Sequence, residues 1–188
     1  MAAHIVFGHT VRGLVERVLV RRGLLTPAVV DGLLRHGVDV HLTRDLPIER
    51  WWALLEYCVS LLAEKPTEAT WEQLGAEGLE GYADTLCGRP AFLLMRMLGP
   101  RFAMRRIAGN YRAADTVTRV AWREHSPTCV ELEYSLAGGI PHPAYFKGVI
   151  SAGMALVGVA DAEVGAERLD EDRVRFTVRW AQEEPALA

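Results

Sequence analysis

The side chains able to do chemistry are few and scattered. Three cysteines, Cys58, Cys87 and Cys129, stand far apart with no C-x-x-C pair. An odd number at wide spacing disfavours both a disulfide framework and a zinc ribbon, and it suits a reducing cytoplasm. The six histidines make no H-E-x-x-H, and His125 with Cys129 around one turn is too little for a metal site. Cys58 and Cys87 lie in apolar or glycine-rich helical stretches, where a buried thiol behaves as a small inert hydrophobe. Cys129 falls on the outward face of a strand, with no base to activate it. No phosphate-loop or dinucleotide fingerprint occurs; Gly75, Gly78 and Gly81 follow no strand and read as packing glycines. With neither a nucleophile–base pair nor an acid–base pair, no catalytic residue, metal or cofactor is expected, and the chain reads as a non-enzyme.

Aromatic residues remain. Trp51, Trp52, Tyr57, Tyr82, Tyr145 and Phe146 sit in helical stretches and suit the wall of a cavity between helices and sheet. Plain core packing competes with that reading. Buried indole and phenol groups need polar partners, which favours a pocket that is not purely apolar.

The elements that position these residues follow from periodicity. Ile5 to Arg22 reads as a short extended entry and then a helix with Val11, Leu14, Val15, Val18 and Leu19 on one face. Thr26 as N-cap and Pro27 at the first helical position start the next helix, and Gly37 ends it. Residues 38–47 read as a loop. Pro47 and Glu49 open a helix that is apolar nearly all round, hence buried on several sides, and Lys65-Pro66 stops it. Thr70 with Gln73 suggests a capping box, followed by glycines that mean close packing or a broken helix. Pro90 opens a further helix, Gly99-Pro100 breaks it, and a short helix ends at Gly109.

Beyond Asn110 the period changes to two. Residues 116–122 form a strand, HSPT a turn, and CVELEYS a strand with Val130, Leu132 and Tyr134 on one face and Glu131 and Glu133 on the other. Pro141 to Val159 reads as a buried helix. It carries an apolar face (Phe146, Val149, Ile150, Met154, Val157) and a small one (Gly148, Ala152, Gly153, Ala155). A last hairpin turns at residues 169–172, with Val174, Phe176, Val178 and Trp180 inward and Arg173, Arg175, Thr177 and Arg179 outward, placed to pair with strand glutamates. The tail from Ala181 reads as loose. The expected fold is α+β: a helical N-terminal half packed on a four-stranded antiparallel sheet of ββαββ order, in one domain over 1–188 with its core at about 4–181.

Length and composition agree with a globular chain: 188 residues, half of them hydrophobic, net charge −3. That balance gives no argument for nucleic acid or an anionic membrane. The arginines and lysines from Arg89 to Lys147 form no run but alternate with apolar residues. Neither a signal peptide nor an apolar stretch of membrane-spanning length is visible.

Several phrases carry a resemblance. VFGHTVRGL, the WW pair, LGAEGLEGYADTLCGRPAFLLMRMLGPRF, AYFKGVISAGMALVGV and VRFTVRW, in order, resemble a family of unknown function that myxobacterial genomes hold as many paralogues. That family supplies no catalytic residue. The C-terminal half is also similar to the group of four-vinyl-reductase-type sensor domains, haem nitric-oxide-binding domains and small TRAPP subunits. There, helices and a four-stranded sheet enclose an apolar cavity for a haem, a small hydrophobic ligand or an acyl chain. The haem pattern wants an axial histidine on a helix and Tyr-x-Ser-x-Arg. Here Tyr134-Ser135-Leu136 lacks the arginine, 90–109 hold no histidine, and His36 and His142 fall at element ends. The TRAPP likeness makes Cys58 the candidate for acylation and adds it to the pocket residues. The expected function is a regulatory or sensory module for a small hydrophobic ligand or a protein partner, with a dimeric structural adaptor as the alternative and an enzyme behind both.

Overall fold

A computed structural model describes residues 4–181 of the chain, except 43 and 137. The tail from residue 182 lies outside the described residues. The helical half begins with a two-residue strand β1 (Ile5–Val6) and α1 (Gly8–Val15), which continues as a π-helical turn over Glu16–Val20. The stripe Val11, Leu14, Val15, Val18, Leu19 is buried as its spacing requires. In α2 (Pro27–Arg35) the Thr26 hydroxyl accepts from the Val29 N–H at 3.3 Å, and Gly37 past its end takes φ +84°. The segment read as loop holds a short strand β2 (Leu46–Pro47), paired antiparallel with β1. Val6 and Leu46 are both buried, and two-residue strands are too short to show a period.

Helix α3 (Ile48–Leu62) buries Trp51, Leu54, Leu55, Cys58 and Val59, but the helix with neighbours on most sides, expected here, is α4. Helix α4 (Glu68–Ala83) starts one turn earlier than read. Thr67 is its N-cap and Thr70 its third residue, each side chain bonding the other's backbone N–H, in place of a Thr70–Gln73 box.

The glycines of α4 answer the question left by the sequence: the helix is unbroken, and they are points of close approach. A Cβ on Gly75 would stand 1.9 Å from the Tyr145 carbonyl oxygen, and one on Gly148 1.9 Å from that of Glu72. These two positions press α4 against α7 (Pro143–Leu156), while Gly81 meets the Gly13 backbone of α1. The small face of α7 is therefore covered within the chain rather than offered to a second copy; Ala155, assigned to that face, is exposed instead.

Helix α5 (Gly88–Leu98) and α6 (Pro100–Ala114) form a hairpin at Gly99, which has φ +83°. α6 runs past Gly109 instead of stopping there. A terminating glycine needs positive φ, and Gly109 does not have it. Strand β3 (Thr118–Ser126) starts two residues later and runs four further than expected, leaving only Pro127 and Thr128 for the turn into β4 (Cys129–Leu136). A register shift between Glu124 and Ser126 absorbs the mismatch. With β5 (Glu163–Arg168) and β6 (Arg173–Arg179) the sheet has antiparallel order β3-β4-β6-β5, the ββαββ arrangement read from the pattern. Val130, Leu132, Tyr134, Val174, Phe176 and Val178 face the helices, all buried. On the outer face Arg173 reaches Glu133 at 3.4 Å and Arg175 reaches Glu131 at 3.6 Å, the pairing expected from opposite charges on neighbouring strands.

Candidate functional site

Between α3, α4, α5, α6 and α7 lies a cavity of about 130 Å³. Its geometry follows from the glycine contacts. Because α4 and α7 touch backbone to backbone, the large side chains of α7 are thrown to one side, where α3 and α6 meet them. Of the residues singled out in the sequence, Trp51, Trp52, Tyr82, Tyr145 and Phe146 line it. Phe146 is the hub: the rings of Trp52, Tyr111, Tyr134 and Tyr145 have centroids within 5.2–6.2 Å of its own. Most of these contacts are edge-to-face or tilted, the arrangement that the ring quadrupole favours.

Tyr57 and Cys58 do not line the cavity. Tyr57 turns to α2, where its hydroxyl reaches the Val29 carbonyl at 3.5 Å and its ring stands 5.1 Å from His36. Cys58 is fully buried in the core, and burial pushes its thiol up to about 12. Cys87, read as buried, is exposed in the α4–α5 turn. Glycine-rich flanks mimic a packed helix in sequence, but here they mark its end.

Residues of α5 and α6 complete the wall, and sequence reasoning missed them. Phe92, Met95, Met104 and Ile107 line it from the two arms of the hairpin, and Asn110 and Tyr111 from the part of α6 beyond Gly109, where the sequence reading ends that helix. Carrying the 3.6 period on from Ala103 and Ile107 would have found Tyr111. Tyr134 was assigned inward by alternation, but nothing in the sequence pairs it with Tyr111.

Polar groups gather at the C-terminal end of α6. The Asp115 carboxylate accepts from the Val117 N–H at 2.8 Å, the Thr118 N–H at 2.6 Å and the Thr118 hydroxyl at 2.8 Å. Burial raises its pKa, against the downward pull of those three donors and Arg119. The Tyr111 and Tyr134 rings meet edge-on at 5.2 Å, and neither buried hydroxyl has a hydrogen-bond partner among the described residues. Burial also raises both phenols, so they stay neutral. If one hydroxyl donates to the other, one O–H is still left over. A buried polar group without a partner costs about 1–3 kcal/mol, and a ligand or an ordered water usually explains it. The Asn110 amide donates to the Met95 sulfur at 3.2 Å, and sulfur is a weak acceptor.

Residues 4–181 match the model of a family described as a protein of unknown function, DUF2378. The chain belongs to that family. No curated protein matches it. Among solved structures this DUF2378 chain is similar to the Fe(II) unliganded H-NOX protein from K. algicida, at 12% identity and TM-score 0.66, covering 94% of this chain and 97% of that one. It is also similar to an oxygen-binding H-NOX domain related to soluble guanylate cyclases, at 15% identity and TM-score 0.61, covering 93% of each chain. At such identities the likeness shows the fold.

The cavity does not fit the haem that the H-NOX likeness implies. Among the described residues no histidine or cysteine lines it to bind iron axially, and no arginine or lysine lines it to pair with propionates. Its volume is near that of an engineered apolar cavity that takes benzene, about 150 Å³, and a tetrapyrrole is several times larger. Nor do the described residues hold a cluster of three metal-ligating side chains, or a helix long and apolar enough to cross a membrane.

Proposed function

We propose that residues 4–181 form one non-enzymatic sensory module whose cavity binds a small, neutral, mainly apolar molecule. The aromatic wall of the cavity carries this reading, and Tyr111, one of two buried tyrosines that together leave an O–H without a partner among the described residues, is part of that wall. The ligand is about the size of a substituted benzene and presents one hydrogen-bond acceptor to Tyr111. Carboxylates and phosphates are disfavoured, because among the described residues no cation lines the wall and Asp115 does. The lining residues Trp51, Trp52, Tyr82, Tyr145 and Phe146 hold its body. H-NOX-like architecture and the three free cysteines support a sensor working in a reducing cytoplasm.

Native mass spectrometry of freshly purified protein, beside its denatured mass, tests the proposal. A small excess mass that is lost on denaturation supports it. An excess surviving denaturation would point to an acylated cysteine, and a bare dimer to the structural adaptor.

A further inference from the structure

Apart from the cavity, the outer face of the α5–α6 hairpin stands out as a feature without a role. Residues 85–114 hold six arginines and no lysine, aspartate or glutamate. The other 158 residues hold fifteen basic and twenty-four acidic side chains, a net charge of −9. The mild overall charge therefore hides a strongly basic segment in an acidic molecule. Arg101 and Arg105 bond Glu124 on β3, while Arg89, Arg96, Arg106 and Arg112 have no ion pair among the described residues.

The same segment exposes large aliphatic side chains: Leu86 (95%), Met97 (76%), Leu93 (62%), Leu98 (52%) and Leu94 (51%). A soluble surface rarely leaves so many together. Arg89, Leu93, Arg96 and Met97 follow the three-and-four spacing that puts residues on one helix face, so α5 presents leucine and methionine flanked by guanidinium groups. Its opposite face, with Phe92 and Met95, closes the cavity.

We infer that the outer face of α5 docks on an anionic lipid surface. Side chains exposed to this degree stand out from the surface; they are shaped to insert into a soft apolar layer rather than to receive a partner's side chains. The arginines beside them match anionic headgroups, the pattern of helices that lie in the interface without crossing it. A two-fold contact with a second copy would set Arg89 and Arg96 against their own counterparts, which like-charge repulsion opposes. Docking brings the bilayer within one helix of the cavity, a short path for an apolar ligand, but the docking itself does not depend on the cavity being filled.

Co-sedimentation of the chain with vesicles of phosphatidylcholine, alone or with about 30% phosphatidylserine, tests this at about 0.1 M salt. The expected result is binding at least tenfold stronger to the anionic vesicles and weakening as salt rises. R89Q and R96Q should each weaken it about fivefold, and the pair L93S/M97S should abolish it. All four positions are exposed, so thermal unfolding should stay at the wild-type temperature and vouch for folding. No binding to either vesicle, or equal binding to both, would overturn the proposal. So would a concentration-dependent dimer that L93S/M97S dissolves, or an acidic protein that competes for this face while vesicles do not.

Discussion

Replacing Gly148 by alanine tests the helix contact on which the cavity depends. The new Cβ would stand 1.9 Å from the Glu72 carbonyl oxygen, where ordinary contact begins at 3.4 Å, a shortfall of about 1.5 Å. The obstacle is backbone in the second turn of α4, so no side chain can swing aside. Relief requires the two helices to part, which loosens the reciprocal seat of Gly75 on Tyr145. Overpacking of a core costs about 1–3 kcal/mol, and a rigid obstacle places this case at the upper end. Alanine recovers about 1 kcal/mol of helix propensity. The net expectation is destabilisation by about 2 kcal/mol, or roughly 4–8 °C in Tm for a chain of this size. Gly109→Ala is the control: it also lies inside a helix, but its nearest neighbour is the Arg112 side chain at 3.9 Å, so only the propensity gain of about 1 kcal/mol applies. Urea unfolding of both variants measures the contrast. If Gly148→Ala is as stable as wild type, the close contact between α4 and α7 is wrong, and with it the geometry of the cavity wall.

Three further outcomes are expected. Thr67→Ala should cost about 1 kcal/mol in urea unfolding through loss of the reciprocal cap with Thr70, whereas Gln73→Ala should leave that cap intact. In a thiol-reagent time course on the native protein Cys87 should react first and Cys129 more slowly, while Cys58, its thiol pushed up to about 12, should react only on unfolding. His142 stacks on Trp71 at 3.6 Å, and burial lowers its pKa despite Glu56 nearby. The unfolded chain then takes up this proton first as pH falls. The contribution of neutral His142 is intact above about pH 6.5 and declines below that until the folded-state value is passed. The difference in unfolding free energy between wild type and His142→Gln should shrink through that window, and a difference independent of pH would refute the assignment.

The sheet was legible because one of its faces is wet: alternation in 129–136 and 173–179 sets which residues face in and leaves arginines and glutamates outward, where they can pair. The core helices were legible for the analogous reason. What failed were boundaries set by glycine. Gly37 and Gly99 end helices, Gly109 does not, and Gly75 and Gly148 are contact points; the letter is the same, and backbone angle and neighbours decide. That ambiguity hid Tyr111, and Tyr111 is what turns an aromatic cluster into a cavity with a polar group to satisfy. Tyr57 was misplaced for a different cause: periodicity assigns a helix face, but α3 is covered on several sides, so its rings divide between the cavity and α2. The basic apolar hairpin was invisible to net charge because acidic residues elsewhere cancel it.

The most direct test of the ligand cavity is an NMR titration of the protein with phenol and with benzene, repeated on Tyr111→Phe. Both compounds should shift resonances of the lining residues, with dissociation constants on the order of millimolar or tighter. Phenol should bind more tightly by about 1 kcal/mol, roughly fivefold, and Tyr111→Phe should erase that preference while still binding benzene. If neither compound shifts the lining residues at concentrations near saturation, the cavity is ordinary core and the sensory reading falls.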